Sequence, residues 1–78
     1  MNINTQEAKH LIMLVIKNNP LGVMYYTLDK LFIIKMPDMI ISGHGNKLLS
    51  LLDEMVKDGI IQDRAQGYIK GPNFPNDF

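Results

Sequence analysis

This sequence predicts an α+β domain in which three helices are followed by a small antiparallel β-hairpin. Three observations carry that expectation. Apolar residues recur at helical spacing near both the N-terminus and the middle of the chain, and a shorter helical segment lies between Pro20 and Pro37. Near the end, two short β-prone pieces face each other across "RAQG", residues 64–67.

The first helix is expected over residues 4–18. Asn4 or Thr5 caps it, and Glu7 stands three residues after Asn4, the spacing of a capping box. Ala8, Leu11, Ile12, Val15 and Ile16 form its inward stripe, and Asn18, Asn19 and Pro20 end it. The next piece, "VMYYT" at 23–27, reads as a brief strand because β-branched and aromatic side chains favour a pleated surface. Thr27 then caps a second helix over 28–35, with Asp29 in its first turn. That helix buries Leu28, Leu31 and Phe32 and stops at Pro37.

The segment "PDMIISGHG" has no clear period, and Met39 to Ile41 fit either a turn packed on the core or a short helical piece. From Gly45 the pattern sharpens. "NKLLSLLDEMVKDG" predicts a strong helix with Leu48, Leu51, Leu52, Met55 and Val56 inside and Asn46, Lys47, Ser50, Glu54 and Lys57 outside. Gly59 supplies a left-handed C-cap. Residues 60–63 and 68–70 are then two strands joined by a four-residue loop, in which Gly67 takes a positive φ. Phe74 and Phe78, in the tail 72–78, either fold back on the core or stay loose.

With 78 residues the chain makes one domain, its core running over about 4–71. A chain this short buries a modest share of its surface, so stability is expected to be marginal or helped by a partner. An apolar content of 46% argues against disorder, and the absence of cysteine removes disulfides and thiolate metal sites. The longest apolar run, residues 11–16, is far too short to span a membrane, and the N-terminus lacks a signal peptide's basic region. A cytoplasmic protein without membrane contact is expected.

Enzyme chemistry finds no inventory here. Ser42 and Ser50 have no motif that sets a base beside them, "SGHGNK" lacks the spacing of a phosphate loop, and the adjacent Asp53 and Glu54 point apart on a helix. His10 and His44 have no third ligand near them, so neither a metal nor a cofactor is expected.

The stretch "LLSLLDEMVKDGIIQDRAQGYIKG", residues 48–71, resembles the end of a winged helix-turn-helix domain. Leu48, Leu51, Leu52, Gly59, Ile60 and Ile61 sit where that pattern places its leucine-rich third helix, its glycine and its β-branched pair. The resemblance covers roughly residues 4–71. It departs from the pattern at 36–45, which is longer and more apolar than the usual tight turn.

The resemblance implies double-stranded DNA as the partner, with the third helix in the major groove and the hairpin as a wing on adjacent minor groove or backbone. Carried onto this chain, the contacting residues are His44, Asn46, Lys47 and Ser50, with Arg64, the only arginine, at the wing. Asn pairs with adenine, Lys with guanine or phosphate, and a guanidinium suits a narrow minor groove. A transcriptional regulator acting as a homodimer would follow. Charge weighs against it: eight basic and eight acidic residues cancel, and Asp53, Glu54 and Asp58 crowd the second half of the third helix. Arg64 also reads as a solvated charge beside Asp63, and Asn46 and Lys47 as the polar face of an amphipathic helix. Tyr25, Tyr26 and Tyr68 read as strand packing residues sooner than as base-stacking platforms. The alternative function is a winged-helix protein-interaction module, an adaptor or small inhibitor, that uses the apolar Met36 to Ile41 segment and some of the six methionines.

Overall fold

The computed structural model describes residues 5–37 and 47–78. Among them, α1 (Thr5–Lys17), α2 (Tyr25–Lys35) and α3 (Lys47–Lys57) precede the hairpin β1 (Ile61–Arg64) and β2 (Gly67–Lys70). The fold is α+β, in an element order compatible with a winged-helix layout. Asn4 of the expected capping box, and the unclear stretch from Asp38 to Asn46, lie outside the described residues.

The core is apolar throughout, with no buried polar or charged residue among those described. α1 contributes Ala8, Ile12 and Ile16 at four-residue spacing, while Leu11 and Val15 sit half-buried at the margin of the stripe. α3 contributes Leu48, Leu51, Leu52 and Met55, with Val56 at its margin. α2 contributes Leu28 and Phe32; Leu31 is only half-buried. Val23, Ile61, Tyr68 and Phe74 complete the core. Burying a large aliphatic or aromatic side chain stabilises by about 1.5–3 kcal/mol, so Phe32, Ile12, Leu48 and Ile61 are its principal anchors.

The expected strand at 23–27 is corrected to a single bridging residue. Only Val23 pairs, and it exchanges both backbone bonds with Tyr68: the Val23 N–H donates to the Tyr68 carbonyl at 2.9 Å, and the Tyr68 N–H to that of Val23 at 2.7 Å. Met24, extended at φ −72 and ψ 149, is the N-cap of α2 in place of Thr27. Its carbonyl accepts from the N–H groups of Thr27 and Leu28 at 3.0 and 3.3 Å. Burial overrides propensity here. A helix starting at Tyr25 carries Leu28 and Phe32 inward one turn apart, whereas a strand would alternate its residues between two faces.

β1 and β2 pair antiparallel with Gln62 opposite Ile69, Asp63 opposite Tyr68 and Arg64 opposite Gly67. The connecting loop is therefore Ala65 and Gln66 alone, and Arg64 is the last strand residue, not a loop residue. Because the Tyr68 N–H and carbonyl both point at Val23, β2 lies between Val23 and β1. Gly67, at φ +109, makes that approach possible. A Cβ there would stand 2.5 Å from the Val23 carbonyl oxygen. Gln66 in turn lies against Gly22, where a Cβ would meet the Gln66 carbonyl oxygen at 2.5 Å. The hairpin turn is thus braced on the loop before α2.

α3 ends in the expected left-handed cap. Gly59 has φ +78, and the N–H groups of Gly59 and Ile60 donate back to the carbonyls of Val56 and Met55, both at 3.0 Å, the paired bonds of a Schellman motif. The tail folds back over this cap. The Gly71 N–H donates to Ile60 O at 2.8 Å, the Asn73 N–H to Gly59 O at 2.8 Å and the Asn73 side-chain amide to Asp58 O at 2.9 Å. Phe74 is buried, and Phe78 meets it edge-on at 5.7 Å with its other side 5.1 Å from the His10 ring. Lys17 Nζ donates to a main-chain oxygen of Phe78 at 2.7 Å.

Gly67→Ala combines a strained backbone with a collision against Val23 and is expected to cost at least about 2 kcal/mol. Ala65→Ser, at the exposed turn, should stay within about 0.5 kcal/mol of wild type. Urea unfolding of the two variants checks this.

Candidate nucleic-acid interface

Lys47 and Ser50 lie in the first turn of α3, both exposed. At 100° per residue, burial of Leu48, Leu51, Leu52 and Met55 sends Ser50, Asp53, Glu54 and Lys57 to the opposite side of the helix. His44 and Asn46 fall outside the described residues. Of the acidic groups on α3, Glu54 is drawn toward α1, where Lys9 Nζ stands 3.7 Å from its carboxylate. An exposed pair of this kind contributes about 0–1 kcal/mol to stability, but it places a cation beside that carboxylate. Asp53 and Lys57 are one turn apart on the same surface, the spacing at which opposite charges attract.

Arg64 is exposed on a different element, at the end of β1. The side chain that it engages is Gln62, not Asp63: its Nε–H donates to Gln62 Oε1 at 2.9 Å. Strand alternation explains the choice, since residues two apart share a face while adjacent ones point apart. Opposite Arg64 stands Gly67, which has no side chain to cover the guanidinium. Ile61, three residues back, is fully buried and fixes β1 to the core. The Schellman turn joins it directly to α3. Lys47 and Ser50 thus share one surface, and Arg64 is carried by the strand that follows the same helix.

The three tyrosines behave differently. Tyr68 is buried, and its phenol is pushed above the usual tyrosine range, first by burial and then by the charges of Asp63, Asp53 and Tyr25. It packs as a core residue. Tyr25 is half-buried, whereas Tyr26 is 63% exposed with Lys30 Nζ lying 4.8 Å over its ring.

No family model, curated protein or solved structure matches the chain.

Sequence reasoning missed two side chains that shape this surface. Gln62 was detectable in principle, because it lies two residues before Arg64 in a predicted strand. Lys9 was not, because its pairing with Glu54 joins separate helices and leaves no local signature. Exposed apolar surface among the described residues also includes side chains that sequence reasoning did not single out. Met36 is half-buried and 38–41 lie outside the described residues, while Ile33, Ile34 and Tyr26 are exposed on the outer side of α2, Ile34 at 77%.

A phenol whose folded pKa exceeds its unfolded value leaves stability intact below about pH 10 and lowers it as pH rises through the folded value. Tyr68→Phe should therefore lose less stability than wild type on the alkaline side of about pH 10 and match its pH dependence near neutrality. Urea midpoints measured across that range check the prediction.

Proposed function

We propose that this domain is a small winged-helix DNA-binding protein that lays the front of α3 in a major groove and sets its hairpin against the adjacent backbone. What supports the reading is the exposed cation and hydroxyl of Lys47 and Ser50 at the start of a helix whose far side is locked into the core. Arg64 adds an exposed guanidinium on the braced hairpin that follows. The pairing of Glu54 with Lys9 weakens one of the three carboxylates that oppose a phosphate backbone.

Magnitude bears on the mode of binding. Two phosphate-directed cations give a salt slope of only about −2, far less than a strongly basic domain achieves. One copy would then bind weakly, and a transcriptional regulator built this way acts as a homodimer that doubles its contacts. Titrating duplex DNA at low salt, wild type against Lys47→Ala plus Arg64→Ala, tests the reading. The paired substitution should flatten the salt dependence by about 2 in log–log slope. No wild-type binding at low salt, or equal binding by the variant, would sink it.

A second reading, a protein-interaction module that leaves DNA alone, is favoured by the uncovered apolar side of α2. Tyr26, Ile33 and Ile34 stand out there beside Lys30. Under it, Ile33→Ser plus Ile34→Ser abolishes capture of one stoichiometric protein partner and leaves the urea midpoint near wild type. Capture unaffected by the substitutions would argue against it.

A further inference from the structure

The hydrogen bond from Arg64 Nε–H to Gln62 Oε1 limits what Arg64 can reach. A guanidinium has five N–H donors in a rigid planar fork. With the Nε–H occupied, the edge carrying the two Nη groups remains for a partner. Gln62 is itself half-buried, on a strand anchored at Ile61, so the acceptor is less mobile than the arginine that it holds. The facing position, Gly67, leaves the guanidinium uncovered from across the strand pair.

A second constraint comes from the hairpin's length. Its strands are four residues each, and the backbone at Gln66 and Gly67 lies against Gly22 and Val23, so the exposed two-residue turn reaches little beyond the core. A guanidinium bonded back to its own strand, on a hairpin this short, is poorly placed to thread into a minor groove. It is well placed to pair with an oxyanion that comes to the surface.

We infer that Gln62 is a positioning residue that orients Arg64 so that its two Nη groups clasp a backbone phosphate, not the floor of the minor groove. This rests on the DNA-binding reading above and refines it. An arginine inserted in a minor groove reads groove width and so favours A·T-rich duplexes. A phosphate clasp contributes almost equally on any sequence and carries a fixed share of the salt dependence. Freezing the side chain beforehand removes part of the entropy otherwise lost on binding.

Gln62→Met keeps the volume and the strand while deleting the acceptor, and it separates the two claims in two measurements. In the free protein, the Arg64 Nε–H resonance should be sharp and slow to exchange in wild type, and broadened or fast-exchanging in Gln62→Met. In salt titrations on A·T-rich and G·C-rich duplexes, Arg64→Ala should lower the salt slope by about 1 on both. Gln62→Met should weaken binding several-fold with the cation retained, and adding it to Arg64→Ala should cost nothing further. Equal Nε–H exchange in wild type and Gln62→Met, or additive losses in the double variant, overturns the positioning role while leaving DNA binding intact. A loss on Arg64→Ala confined to A·T-rich duplex overturns the phosphate clasp. Absence of wild-type binding to either duplex is failure of the DNA reading itself and takes the clasp with it, whereas the exchange measurement still decides whether Gln62 orders Arg64.

Discussion

The two backbone hydrogen bonds between Val23 and Tyr68 are the constraint on which the rest of the molecule depends. They join the loop between α1 and α2 to the hairpin, segments far apart in the chain. A hairpin of four-residue strands has little stability of its own in water. Held on one edge by Val23, and on its face by the burial of Ile61 and Tyr68, it becomes part of the core. The absence of a side chain at Gly67 is what lets the two backbones meet.

That contact also explains where sequence reasoning succeeded and where it stopped. The helices with a clear apolar stripe were legible, because Ala8, Ile12 and Ile16, and Leu48, Leu51, Leu52 and Met55, lie at spacings that only a helix carries to one side. Gly59 was legible too, since a left-handed cap favours glycine. The start of α2 was not. Tyr25, Tyr26 and Thr27 favour strands locally, and only the core demand of Leu28 and Phe32 makes them helical. The strand pairing was misread by a residue or two for a related reason. The positive φ expected at Gly67 is present, but Gly67 belongs to β2, where it also admits Val23, a long-range contact that no local turn pattern contains.

The candidate site was legible in residue type more than in arrangement. Lys47, Ser50 and Arg64 are exposed as expected, but their setting comes from a residue of another helix and from one two positions away on the same strand face. Lys9 reaches Glu54 across the α1–α3 contact, and Gln62 claims the Nε–H of Arg64. With eight acids against eight bases, binding to a polyanion must come from local arrangement and not from the field of the whole chain. Under the DNA-binding proposal, rigidity therefore matters more than in a basic domain, because a few well-held cations would have to replace many loosely held ones.

Native-state hydrogen exchange tests most directly whether hairpin and helices form one rigid body. The Val23 and Tyr68 amides should open only with the core amides of α3, at the same free energy and with the same denaturant dependence. Exchange of those two amides at rates typical of an exposed loop, while α3 stays protected, would mean that the hairpin opens by itself, and no fixed geometry would then link Arg64 to the front of α3.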